Sequence, residues 1–118
     1  MNIEQVREYC MSKNGVTEGF PFDDTALVFK VCGKMFALLG LEGTWLNLKC
    51  EPDKAIELRE QFAEVTPGYH MNKKMWNTIQ LEGALPNKLI CEWIDDSYNL
   101  VAAKLTKAQR AELKLVSF

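Results

Sequence analysis

Two β-rich segments joined by only two residues constrain the fold of this 118-residue chain more than any other feature. The segments run from Ala26 to Val31 and from Lys34 to Leu39, and Cys32-Gly33 connects them. Parallel strands need a crossover of a dozen residues or more, whereas two residues suffice for an antiparallel hairpin. The chain is therefore expected to fold around an antiparallel sheet.

Three further segments complete the predicted sheet. The segment from Thr44 to Lys49 alternates apolar and polar residues with period two, as a half-buried strand does. A short strand is expected around Tyr69, and a turn at Asn72-Lys73-Lys74 connects it to a strand from Met75 to Leu81. The sequence thus predicts a sheet of five strands.

The remaining segments predict helices, because each opens on a residue typical of a helix start. Short connections favour antiparallel neighbours, and helices on one face of such a sheet give a two-layer α+β domain. The predicted order is α-β-β-β-α-β-β-α, followed by a short last helix, in a single domain over residues 1–118. The predicted helix starts are Asn2 with Gln5, Pro52, Pro86, and Thr106 with Gln109.

The size of the chain and its cysteines limit the class of protein. A chain of this length can bury enough surface to fold without a metal or a disulfide. The cysteines are scattered without a CxxC pair, which favours reduced thiols over a zinc site. Neither a signal peptide nor a membrane-spanning run is apparent, so we expect a cytoplasmic protein that does not associate with a membrane. We also expect no cofactor. The cysteines are Cys10, Cys32, Cys50 and Cys91.

Charge is distributed unevenly along the chain. The formal net charge is −2, from 14 Lys+Arg and 16 Asp+Glu. Residues 51–68 carry five acidic and two basic side chains, whereas residues 69–118 carry seven basic and five acidic ones. This pattern fits a solvated surface of mixed sign, or alternatively a basic face beside Trp45 and Trp76. Lysines with aromatic neighbours suit nucleic acid. The candidate phosphate contacts are Lys30, Lys34, Lys49, Lys73 and Lys74.

Residues 66–77 are the most unusual segment, since they contain the chain's only histidine among aromatic, amide and ammonium groups. One interpretation is a pocket for a small ligand or a protein, formed by Tyr69, His70, Asn72 and Trp76. The alternative is a tight hairpin whose His and Asn bond to local backbone groups. Both interpretations stay open at this point.

Catalytic chemistry has little support in the sequence. A thiol nucleophile would need a base such as His70 beside it, and Cys50 is the most plausible partner. Adjacent acids such as Asp95-Asp96 do not face the same way on a helix. No glycine-rich loop opens a helix. We therefore predict no catalytic residues and a protein that is not an enzyme.

Short stretches along the sequence form a family pattern that spans nearly the whole chain, and residues 67–76 are its most specific part. With them the chain resembles the MmcQ/YjbR family of small bacterial proteins. The stretches are Phe20-Pro21-Phe22-Asp23, Val28-Phe29-Lys30-Val31, Gly33-Lys34-Met35-Phe36-Ala37, Leu46-Asn47-Leu48-Lys49-Cys50, Thr66-Pro67-Gly68-Tyr69-His70-Met71-Asn72-Lys73-Lys74, Trp76-Asn77-Thr78, Ser97-Tyr98 and Leu100-Val101.

The resemblance implies a two-layer α+β fold like that of secretion chaperones and frataxin-like proteins, and DNA binding through two hairpin wings. Here the wings would be Cys32-Gly33 and Asn72-Lys73-Lys74. The frataxin comparison implies iron on an acidic first helix, but Glu4 and Glu8 alternate with basic residues there, so no metal is expected. The primary expectation is weak, salt-sensitive DNA binding. The pocket described above and a chaperone-like homodimer are the alternatives.

Overall fold

A computed structural model describes residues 1–69 and 71–115, with side chains up to Leu113; His70 therefore lies outside the described residues. Four helices and six strands follow one another within these described residues. Their bounds are α1 Ile3–Met11, β1 Val16–Gly19, β2 Ala26–Val31, β3 Lys34–Gly40, β4 Trp45–Lys49, α2 Pro52–Gln61, β5 Val65–Pro67, β6 Trp76–Gln80, α3 Asn87–Ala102 and α4 Lys107–Leu115.

The strands form one antiparallel sheet in the order β1-β2-β3-β4-β6-β5. The predicted fold class is confirmed, but the sheet has six strands and not five. The additional strand is β1, a four-residue edge strand that ends at Gly19. The strand predicted around Tyr69 lies earlier, at Val65–Pro67. Pairing with β6 ends at Gly68, whose N–H donates to the carbonyl of Trp76 at 2.8 Å. Tyr69 therefore lies after the strand.

The helices cover one face of the sheet and bury a single apolar core. Phe29, Leu39, Leu46 and Ile79 point from the strands into it, and Ile94 comes from α3. Each of these side chains is at most 2% exposed. None of the helices in the described part of the chain packs on the opposite face, which is called the open face below.

The local signals at helix and hairpin ends are confirmed. The Asn2 side chain accepts from the N–H of Gln5 at 2.8 Å, and the Gln5 side-chain oxygen accepts from the N–H of Asn2 at 3.0 Å. Thr106 and Gln109 make the same reciprocal pair. In the β2–β3 turn, Cys32 has φ 48° and Gly33 φ 76°. Two successive positive φ angles are those of a tight turn that matches the strand twist.

A buried serine fixes the position of α3 against the sheet. Ser97 is completely buried, and its hydroxyl donates to the carbonyl of Phe36 at 2.6 Å. The same oxygen accepts from the N–H of Lys49 at 2.9 Å. These bonds hold the second half of α3 next to the start of β3 and the end of β4.

The first helix is attached to α3 through a carboxylate. Tyr9 donates to Asp95 at 2.7 Å, and the ammonium of Lys13 pairs with the same oxygen. Lys13 also lies 5.0 Å from the ring centre of Tyr9 and 5.3 Å from that of Tyr98. Burial opposes ionisation of Asp95, but the bonds from Lys13 and Tyr9 outweigh it and lower its pKa. The carboxylate is therefore engaged in holding α1 and α3 together.

Candidate functional site

The antiparallel topology brings lysines from distant segments to one end of the sheet, at the border formed by the strand ends. The β2–β3 turn, the end of β4 and the start of β6 all lie there, since Lys49 pairs with Trp76 and Val31 pairs with Lys34. Lys104, in the turn after α3, lies at the same end of the sheet. We call this group the lysine edge, and its members are Lys34, Lys49, Lys73, Lys74 and Lys104.

The electrostatics of Lys49 show that three of these ammonium groups are neighbours. Its pKa is lowered, first by burial and then by the positive charges of Lys104 and Lys34. Mutual repulsion of this kind is relieved when an anion binds among the charges. Lys49 and Lys104 also line one groove of about 490 Å³, together with Met75 and Leu100. The groove's further lining includes two acidic side chains, Glu51 and Asp53.

The positive charge of the lysine edge is not neutralised by ion pairs within the described part of the chain. The salt bridges found there are Arg7–Glu18, at 2.5 Å, and Lys13–Asp95. Both lie on the helix-covered side, one from α1 to β1 and the other from the segment after α1 to α3. The ammonium groups of the edge can therefore pair with anions from solution.

An arginine of α2 holds the loop that carries Lys73 and Lys74. The Nε of Arg59 donates to Asn77 Oδ1 at 2.7 Å, and its Nη2 donates to the carbonyl of Lys73. Asn77 is buried and donates in turn to the carbonyl of Ala55 at 3.2 Å. The sequence analysis did not identify Arg59, because an arginine in an acidic helix carries no local signal of a contact with a loop fourteen residues later.

The side chains within this loop have different roles. Asn72 accepts from the N–H of Lys74 at 3.0 Å, so it stabilises the turn, as the hairpin interpretation of this segment has it. Lys73 donates to the carbonyl of Gly68 at 3.3 Å, which ties its ammonium group to its own loop. Lys74 is exposed and makes only a backbone bond among those described. Lys74 is thus better placed than Lys73 to contact a partner.

Hydrogen bonds hold Tyr69 over the open face. Its N–H donates to Thr78 Oγ1 at 2.8 Å, and its carbonyl accepts from Asn47 Nδ2 at 2.9 Å. Thr78 also donates to Asn47 Oδ1 at 2.5 Å, which closes the network. The ring of Tyr69 meets Trp45 edge to face, with 6.0 Å between ring centres. Trp45 itself lies against Gly40, where an added Cβ would come within 2.1 Å of the indole.

The four residues proposed as a ligand pocket differ in accessibility. Tyr69 is 56% exposed, whereas Trp76 is only 8% exposed. Gly68 is packed closely on Trp76, since a Cβ at Gly68 would lie 2.7 Å from the Trp76 Cβ. Asn72 serves the turn, and His70 lies outside the described residues. A pocket formed by all four therefore stays a prediction.

The alternative sites for metal or thiol chemistry gain no support. Within residues 1–69 and 71–115, no three His, Cys, Asp or Glu side chains are grouped to hold a metal ion. Cys50 is a free thiol whose pKa is raised, chiefly by burial, which opposes formation of the thiolate nucleophile. In the same part of the chain, no helix has the length and apolar character to cross a membrane.

Comparison with known proteins identifies the family. A family model described as YjbR matches residues 11–100. The chain belongs to the YjbR family. It is 34% identical over 112 residues to a protein of Escherichia coli K12 named uncharacterized protein YjbR, and the similarity covers 93% of this chain and 95% of that protein. Lys104 lies outside residues 11–100, so the family resemblance did not identify it as a candidate site residue.

Two solved structures share this fold. The crystal structure of a Deinococcus radiodurans protein with a DUF419 domain has a TM-score of 0.88 and 40% identity, covering 96% of this chain and 88% of that one. The crystal structure of a Pseudomonas syringae protein has a TM-score of 0.73 and 30% identity, covering 85% of this chain and 98% of that one. The similarity of fold is thus accompanied by sequence identity of at least 30% in both.

Proposed function

We propose that this YjbR-family protein is a non-enzymatic DNA-binding protein that contacts phosphates through the lysine edge. Binding is expected to be weak and sensitive to salt, because the net charge of the chain is −2 and the basic charge is confined to one edge.

The observation that supports this proposal is the grouping of lysines from separate segments without compensating ion pairs in the described part of the chain. Lys34 comes from the first hairpin, Lys74 from the second and Lys104 from the end of α3. The lowered pKa of Lys49 follows from its burial beside two of these charges. Lys30 extends the positive surface onto the open face, because it lies two positions after Val28 on β2 and alternate residues of a strand share a face.

The proposal can be tested by measuring the affinity of a fluorescently labelled oligonucleotide at low salt by anisotropy. Lys49→Gln and Lys104→Gln remove neighbouring charges from the lysine edge. Each is expected to weaken binding about two- to fivefold, the range for a single exposed ion pair, and the double variant more.

Lys88→Gln is the matched control, since it removes the same charge from the exposed start of α3, roughly 20 Å from Lys104 at 1.5 Å per helical residue. The control is expected to bind like the wild type. Equal weakening by Lys88→Gln and by the edge variants would mean that only net charge matters and would refute the assigned interface. Absence of binding by the wild type at low salt would refute the function itself.

A further inference from the structure

A row of paired residues crosses the open face of the sheet from β1 to β6. The pairs are Gly19 with Val28, Val28 with Leu38, Leu38 with Asn47, and Asn47 with Thr78. Val28 is 1% exposed and Leu38 6%, although both face away from the helices. The centre of this face is therefore shielded from solvent, and the segments that follow β1 and β5 carry exposed aromatic side chains.

Each of these two segments presents an aromatic ring. Tyr69, after β5, is 56% exposed, and Phe20, after β1, is 50% exposed. The backbone of Tyr69 is bonded on both sides, to Thr78 and to Asn47. Phe20 lines a depression of about 360 Å³ that also contains Val28 and Lys30. Exposed aromatic rings can serve as platforms on which flat ligands stack.

Positive charge accompanies both rings. Lys30 lines the same depression as Phe20. Lys49 lies on β4 two positions after Asn47, at the end of the strand, and belongs to the lysine edge. At about 4.8 Å between strands, Gly19 and Asn47 are about 14 Å apart, so the segments that carry the two rings are supported at well-separated places on the same sheet.

We propose that the ligand of this surface is single-stranded nucleic acid, with bases stacked on Tyr69 and Phe20 and phosphates on Lys30 and Lys49. This inference rests on the proposed function and specifies its substrate. Aromatic platforms bordered by lysines are the arrangement that single strands require, because every unpaired base has a flat face to stack. Bases in a duplex are already stacked on one another and cannot use these rings.

The test compares a short labelled oligothymidylate with a duplex of the same length, using anisotropy at one low salt concentration. Tyr69→Ala and Phe20→Ala are each expected to weaken binding of the single strand about fivefold or more, in keeping with base–aromatic stacking, and to leave duplex binding unchanged. Tyr69→Phe keeps the ring and is expected to bind like the wild type. Ile56→Ala removes a comparably exposed apolar side chain, 51% exposed, from α2 and is expected to have no effect. Thermal melting of each variant confirms that it is folded.

The possible failures can be told apart. If the duplex binds as tightly as the single strand and Tyr69→Ala changes neither affinity, the single-strand inference is overturned while the lysine edge keeps its proposed function. If the wild type binds neither probe, both proposals fail. If Tyr69→Phe weakens binding as much as Tyr69→Ala, the hydroxyl and not the ring is responsible, and the stacking inference is wrong.

Discussion

Replacing Arg59 by methionine is expected to destabilise the protein strongly, although Arg59 is only partly buried. Methionine keeps much of the apolar stem and the length of the side chain but removes every donor. Arg59 currently donates to Asn77 Oδ1 at 2.7 Å and to the carbonyl of Lys73. The variant therefore loses the connection between α2, β6 and the loop of the second hairpin.

The expected magnitude follows from what is left unpaired. Asn77 is 2% exposed, so water cannot easily replace the guanidinium at its Oδ1. A buried acceptor without a donor costs about 1–3 kcal/mol, and loss of the bond to the Lys73 carbonyl adds about 1 kcal/mol. We expect Arg59→Met to lower the free energy of unfolding by about 2–4 kcal/mol in total.

Urea unfolding measures this change, and Lys54→Met is the control. Lys54 lies on the same helix and is exposed, so its replacement is expected to shift the free energy of unfolding by no more than about 0.5 kcal/mol. Adding Asn77→Leu to Arg59→Met removes the side-chain carbonyl that has lost its donor. The double variant is therefore expected to lose less free energy of unfolding than the two single variants lose in sum. If Arg59→Met is no more destabilising than Lys54→Met, the proposed role of Arg59 is wrong.

Three further predictions test other parts of the structure. Ser97→Ala is expected to lower the free energy of unfolding in urea by about 1–3 kcal/mol, because the two buried backbone groups that its hydroxyl bridges lose their partner. The hydrogen bond that Tyr9 donates to Asp95, and to a lesser extent burial, raise the pKa of Tyr9 to about 12. The contribution of this bond to the free energy of unfolding is therefore fully present below pH 10 and is lost as the pH rises to about 12. Melting temperatures across this range should show the fall in the wild type and a smaller one in Tyr9→Phe. Gly40→Ala is expected to displace Trp45, whose indole would lie 2.1 Å from the new Cβ, and so to change tryptophan fluorescence, whereas Gly19→Ala meets nothing within 4 Å and should not.

Local patterns predicted most of the fold because the physical causes were themselves local. The reciprocal cap at Asn2 and Gln5 involves residues three apart, and the two-residue turn at Cys32-Gly33 forces antiparallel pairing. β1 was missed for the opposite reason. Its four residues, Val16–Gly19, show no clear alternation, and their strand conformation comes from pairing with β2.

The candidate site could be predicted only in part, since its decisive contacts are distant in sequence. The lysines of the two hairpins were identified as a set, but their grouping with Lys104 depends on how α3 ends against the sheet. Arg59 gave no signal, because its partners lie in another element. Trp76 was expected to be accessible as an aromatic contact, whereas packing on Gly68 leaves it nearly buried.

The salt dependence of oligonucleotide affinity tests the central claim most directly, because lysine–phosphate contacts release condensed counterions. Four or five contacts at the lysine edge and Lys30 predict a slope of log association constant against log salt of about −3 to −4.5, from about 0.7–0.9 per contact. Lys74→Gln should reduce that slope by about 1, and Lys88→Gln should leave it unchanged. A slope near zero, or one that Lys74→Gln and Lys88→Gln alter equally, would contradict binding through the lysine edge.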